Sequence, residues 1–282
     1  MQQEIEALIR QSGAKRIAVA YEDLETGRSL FLQADEPFHP ASTFKVCVLM
    51  ELYRKADTGA FSLDDTLAVY NDFPSLVDGS SFSTYVDDDS ESSLYDRIGE
   101  RVSLRELGRL MVTQSSNLAT NILVDQLGAA QVTSFMRDLG AEDLRILRGV
   151  EDNKAYALGK NNVATARGLL QVWKRLALGE VVSKEASEEM LAVLRQQQHT
   201  VGIPASLPAG VPVANKPGWN TRLFHDAAVV FPPGRAPYVL VVMTQGLAEE
   251  SEAPQVVRAL SRLVYDQATG SEDSASRVGN AL

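Results

Sequence analysis

Strand-forming residues gather at the two ends of this chain, and the long stretch between them has a helical pattern. RIAVAYEDLETGRSLFLQAD reads as two strands, about 16–22 and 28–33, joined at the Glu25-Thr26-Gly27 turn. Near the other end, VPVANKPGW, HDAAVVFPP and APYVLVVMTQG read as three strands with short Gly/Pro turns between them. Such short connections favour antiparallel pairing. The economical packing is an α+β fold with one five-stranded antiparallel sheet built from both chain ends. Flanking helices cover it, and an all-helical subdomain forms its own layer. A cleft between the two parts is the expected place for a ligand.

The helical periods are readable in outline. Ile5, Leu8 and Ile9 mark a short amphipathic helix over 2–12. Phe44 to Ala56 follows Pro40 and Ser42, a residue able to cap, and Gly59 ends it. Residues 103–178 are helical in pattern, 181–198 predict one more helix, and VVRALSRLVYDQAT closes with an amphipathic one. Between them, residues 71–97 predict a long surface loop, with Asp87-Asp88-Asp89-Ser90-Glu91 as a solvated acidic face. The expectation is a single domain over residues 1–270. Residues 1–40 and 190–270 form its α/β part and 41–189 its helical part. The polar tail 271–282 is expected to be disordered.

Charge and composition exclude several functions. Lys plus Arg is 27 against 37 Asp plus Glu, a net charge of −10. Such a chain repels phosphate backbones, so no nucleic-acid partner is expected. No apolar run approaches the roughly 18 residues of a membrane span. Cys47 is the single cysteine, which rules out an intrachain disulfide, and its position predicts a core residue. His39, His199 and His225 lie in no ligand spacing, so no metal is expected and no cofactor is implied. His225-Asp226 reads as a structural pair at a strand end. The first residues carry no secretion signal, which predicts a cytoplasmic protein, or a periplasmic or secreted one if the N-terminus was trimmed.

Three constellations carry chemistry. Ser42-Thr43-Phe44-Lys45 places an amine one helical turn from a hydroxyl, and a lysine shielded from water can activate a serine. Taken alone the motif is weak: Ser12-Gly13-Ala14-Lys15 has the same form and precedes a strand. Ser115-Ser116-Asn117 interrupts an apolar helical stretch, where small polar residues also serve as caps between helices. Lys216-Pro217-Gly218-Trp219 puts a lysine on an apolar strand, and the glycine predicts close backbone approach to another segment.

Ser-x-x-Lys, Ser-x-Asn and Lys-x-Gly in this order resemble the serine β-lactamases and penicillin-binding proteins. The surrounding phrases HPASTFKVCVLMEL, MVTQSSNLATNILVDQLG and VPVANKPGW look like class A β-lactamase segments, and the likeness runs over about residues 3–268. The resemblance implies a hydrolase with Ser42 as acylated nucleophile and Lys45 as its base, directly or through water. Ser115 would relay a proton to the leaving nitrogen, and Asn117 would position Lys45 and the substrate amide. Lys216 would face the substrate carboxylate. The backbone N–H groups of Ser42 and Trp219 would form the oxyanion hole beside Gly218.

Three departures from the family pattern bear on function. Ser116 stands where an Asp is usual. Pro217 replaces a hydroxyl residue that normally contacts the substrate carboxylate, with Arg222 as a substitute donor. The deacylating loop normally carries Glu-x-x-x-Asn, whereas here Glu151 and Asn153 are two apart, with Asp152 between them. The expected partner is a small β-lactam opened through an acyl-Ser42 with slow turnover, Glu151 activating water. The alternatives are a D-alanyl peptidase or esterase, and a β-lactam-binding sensor without turnover.

Overall fold

The structure is a computed structural model, and it describes residues 1–247, 249 and 252–270. The chain starts with α1 (Gln2–Gln11), β1 (Arg16–Asp23) and β2 (Ser29–Leu32). A 3₁₀ turn, Ala41–Phe44, leads into α2 (Lys45–Asp57). The small strands β3 (Thr66–Ala68) and β6 (Arg101–Ser103) pair with each other, as do β4 (Phe73–Pro74) and β5 (Ser81–Phe82). Then come α3 (Leu104–Thr113), α4 (Asn117–Leu127), α5 (Ala129–Asp138), the short α6 (Asn153–Ala157), α7 (Ala166–Ala177) and α8 (Lys184–Leu194). Strands β7 (Val213–Asn220), β8 (Leu223–Val230) and β9 (Tyr238–Gln245) precede α9 (Glu252–Thr269).

The five large strands form one sheet in the order β2-β1-β9-β8-β7, with every neighbouring pair antiparallel. Both chain ends thus contribute to it, as the sequence predicts. Strand side chains alternate faces, and here both faces are buried. Val239, Val241 and Met243 of β9 join α2, α7 and the other central helices in one core. Tyr238, Leu240 and Val242 face the other way, against α1 and α9. A strand covered on both faces has no polar side, which is why β9 reads as an unbroken apolar run.

Elsewhere the expected elements shift. The helical pattern over 103–178 breaks into α3, α4 and α5, an irregular stretch holding α6, and then α7. The helix expected over 181–198 is confined to Lys184–Leu194, with Ser183 accepting from the Ala186 N–H as its cap. Ser42 caps nothing: it lies inside the 3₁₀ turn, and α2 has no side-chain cap. The expected tail, 271–282, lies outside the described residues. Among the described residues, no helix is long and apolar enough to cross a membrane, and no group of His, Cys, Asp or Glu is arranged to hold a metal. Cys47 is fully buried on α2.

Candidate active site

The start of α2 meets the edge strand β7, and the contact is backbone on backbone. A Cβ built on Gly218 would stand 2.5 Å from the Ser42 nitrogen and 2.9 Å from that of Thr43. Only glycine permits this approach, and it brings the Lys216-Gly218 strand beside Ser42. As an edge strand, β7 also tolerates Pro217.

Lys45 and Lys216 are both fully buried, and the Ser115 hydroxyl lies between them. Lys216 Nζ donates to Ser115 Oγ at 3.0 Å and to the Pro217 carbonyl at 2.7 Å. Lys45 Nζ donates to the Ser115 carbonyl at 2.6 Å and Asn117 Oδ1 at 2.9 Å, with longer contacts of 3.4 Å to Ser115 Oγ and the Ser116 carbonyl. None of these bonds goes to Ser42 Oγ. Loss of water around Lys45 pulls its pKa down to about 7, against the nearby charges of Asp89 and Glu151. Burial, and then repulsion from Lys45, hold Lys216 well below the usual lysine range.

The junction between α3 and α4 aims Ser115 at this pair. Ser115 has φ +62°, and Ser116 Oγ accepts from the Ala119 N–H as the cap of α4. Ser116 is therefore a cap, one of the two roles open to it in the sequence. Asn117 opens α4 and joins the two halves of the site. Its Oδ1 takes the Lys45 bond, and its Nδ2 donates to Glu151 Oε1 at 2.8 Å.

Glu151 is carried by the irregular segment between α5 and α7. Asn121 of α4 clamps that segment: its Oδ1 accepts from the Val150 N–H at 2.7 Å and its Nδ2 donates to the Val150 carbonyl at 3.0 Å. The clamp requires Gly149, where a Cβ would fall 2.0 Å from Asn121 Oδ1. Asn162 Oδ1 accepts from the N–H groups of Leu147 and Arg148. The second Glu151 oxygen accepts from the Tyr85 N–H at 3.0 Å. Burial raises the Glu151 pKa, aided by Asp89 and Asp88 and opposed by the Tyr85 and Asn117 bonds. Asp152 is different. Its oxygens accept from Ser75 Oγ, the Leu76 N–H and the Ala155 N–H, so it caps α6 and braces the loop.

Several expectations are corrected here. The acidic run is only partly a solvated face. Asp89 Oδ2 accepts from the N–H groups of Asn117 and Leu118 at the N-terminus of α4, where a negative charge is favoured. Glu91 is buried and accepts from the Ser93 and Leu94 N–H groups. His225 and Asp226 are not a pair, because adjacent strand residues point to opposite faces. Thr244 N–H donates to His225 Nδ1, leaving Nε2–H for the His39 carbonyl at 3.0 Å. Asp226 accepts from Asn215 Nδ2 and the Ile203 N–H, and burial raises its pKa to about 7. Arg222 donates to the Leu247 carbonyl and is absent from the cleft wall.

Ser42, Ser115, Asn117, Glu151 and Trp219 all line one cleft of about 970 Å³. His199, unassigned from the sequence, lines it too, bonded through Nε2 to the Gln114 carbonyl at 3.1 Å, with its ring 5.0 Å from Trp219. No local spacing marks His199, Asn121 or Asn162; their roles exist only in the folded chain.

Known proteins share this architecture. The profile of the "Beta-lactamase enzyme family" matches residues 1–268. A beta-lactamase of Streptomyces fradiae is 29% identical over 272 residues, covering 94% of this chain and 85% of that protein. The solved structure of an ancestral class A beta-lactamase superposes with a TM-score of 0.82 at 27% identity, covering 94% of this chain and 98% of the other. A PBP-A mutant, solved as an acyl-enzyme complex with penicillin G, superposes with a TM-score of 0.82 at 25% identity, covering 95% and 96%. The chain belongs to the beta-lactamase enzyme family, whose members are hydrolases that work through an acylated serine.

Proposed function

We propose that this protein opens the amide of a β-lactam through an acyl-Ser42 intermediate and clears that intermediate slowly. The observation that carries the reading is the Ser115 hydroxyl set between two buried lysines in the cleft that Ser42 lines. A hydroxyl accepts two hydrogen bonds and donates one. With both lone pairs turned toward Lys45 and Lys216, the Ser115 proton is left for a leaving nitrogen. Lys45, anchored through two close bonds, keeps a lone pair when neutral, and its lowered pKa makes the neutral form accessible near pH 7.

The steps follow from these positions. Ser42 Oγ attacks the carbonyl carbon and passes its proton to Lys45, directly or through water. The tetrahedral oxyanion takes donors from the backbone at Ser42 and Trp219. Ser115 protonates the departing nitrogen and recovers a proton from Lys45, leaving the acyl ester. Glu151 then takes a proton from a water that attacks the ester, the C–O bond to Ser42 breaks to release the acid, and that proton returns through water or Lys45 to Ser42 Oγ. The resting carboxylate holds two hydrogen bonds, and Asn153 supplies no partner at the family spacing. Both features favour a slow second half. The same two features, with Pro217 on β7, favour a penicillin-binding peptidase as the second reading, consistent with the likeness to PBP-A.

The test is intact-protein mass spectrometry with a penicillin, run beside turnover of a chromogenic cephalosporin. An adduct that accumulates on Ser42 and decays over many turnovers of a fast enzyme is the expected result, with Ser42→Ala unlabelled. An adduct on Ser42→Ala removes the nucleophile assignment.

A further inference from the structure

Arg148 is a guanidinium in the cleft wall whose hydrogen-bond partners are all neutral. Its Nε donates to the Lys160 carbonyl at 3.1 Å, Nη1 to the Gly149 carbonyl at 3.1 Å and Nη2 to Asn161 Oδ1 at 2.7 Å. Among the described residues no carboxylate forms an ion pair with it. Asp152 acts on it only through space, since its oxygens are engaged by Ser75, Leu76 and Ala155. A guanidinium has five N–H groups, so two remain uncommitted. Burial outweighs the distant pull of Asp152 on the charge, and the bonds Arg148 makes bring it no negative partner.

Two more donors stand nearby on the same wall. His39 Nδ1 accepts from the Ala41 N–H at 3.1 Å, so the neutral ring carries its proton on Nε2. Burial, then the charge of Arg148, keep His39 below the ordinary histidine range and hence neutral at pH 7. The Tyr156 ring stands edge-on to His39, centroids 6.4 Å apart, and is more than half exposed. The acidic group with the strongest claim on this wall, Glu151, already holds Tyr85 and Asn117.

We propose that Arg148, with His39 and Tyr156, recognises a carboxylate on the substrate, one separate from any group that faces Lys216. The ligand class is a β-lactam or peptide carrying an acidic side chain. Arginine suits this task because its planar fork meets both carboxylate oxygens. The inference rests on the acyl-serine reading above for the identity of the substrate.

Binding can be separated from chemistry by using the Ser42→Ala protein. Calorimetry would compare a penicillin bearing a side-chain carboxylate with the methyl ester of that same side chain. The acid should bind at least about tenfold tighter, with a preference that shrinks as salt screens the pair. Arg148→Gln, added to Ser42→Ala, should bring the ratio close to one. Arg148→Lys, which keeps the charge, should retain part of the preference and guards against a merely disordered loop. A ratio at or below one in the Ser42→Ala protein overturns the proposal. So does no measurable binding of the acid, a ratio that survives Arg148→Gln, or one lost as fully in Arg148→Lys. Failure of the acyl-serine reading shows separately, as the absence of an adduct on the unaltered protein.

Discussion

Ser42, Lys45, Ser115 and Lys216 are carried by a turn into a helix, a helix junction and a strand. Glu151 is carried by the segment between α5 and α7, which contains only the five-residue α6. The first group is held by backbone packing: Gly218 lies against Ser42, and both lysines are sealed from water. The second is held by a few side chains: Asn121 and Asn117 reach in from α4, and Asn162 braces the segment from within. Regular elements fix their residues through many cooperative bonds, whereas a clamped loop depends on a few. The bond-making half of the site is therefore the more rigid, and the half assigned to water is the one where substitution should change behaviour most.

The sharpest test of that contrast is Glu151→Gln. It keeps the side-chain shape and removes the base, so deacylation should slow by roughly 10²–10⁴. Acylation should suffer far less, and single-turnover mass spectrometry resolves the two rates. Equal slowing of both would erase the proposed division of labour between the two regions.

A pH profile probes the rigid half. Lys45 is held at about 7 and acts as a base only when neutral. Acylation should fall about tenfold per pH unit below that value and level off above it. For deacylation the working form is the Glu151 carboxylate, whose pKa is raised, so that rate should also fall toward acid. Acylation that stays flat from pH 5 to 8 would remove Lys45 as the base.

The smallest effect expected is that of Gly218→Ala. The added methyl must displace the turn at Ser42, with a cost of about 1–3 kcal/mol, the range for overpacking. Denaturant melts should register the loss, and acylation should slow with it. Unchanged stability and rate would mean that β7 yields easily and that the rigid half is softer than its packing implies.

The sheet was legible because its strands announce themselves twice, by β-branched composition and by short turns between them. The break-up of residues 103–178 was less so. Ser115 and Ser116 read as an interruption and Leu118 to Leu127 as the helix that follows, close to α4, but the apolar period does not mark where α5 stops. Gly128, with φ +82°, separates those two helices. The acidic run shows a different limit. Asp87 and Asp89 lie two residues apart in one loop, yet the first is exposed and the second caps α4. Composition cannot separate them, because the distinction depends on which helix end arrives nearby.

The sequence by itself determined the sheet from both chain ends and the helical block, and it singled out Ser42, Lys45, Ser115 and Lys216 as the candidates for chemistry. Each of these is expressed in local spacing or in side-chain type. Tertiary structure alone decided that Lys45 bonds to the Ser115 carbonyl, that Glu151 and not Asp152 meets Asn117, and that Arg148 faces the cleft without an acidic partner. Those contacts join residues 13 to 70 positions apart. Burial then sets their charges, and burial is a property of the packed chain that no local spacing contains.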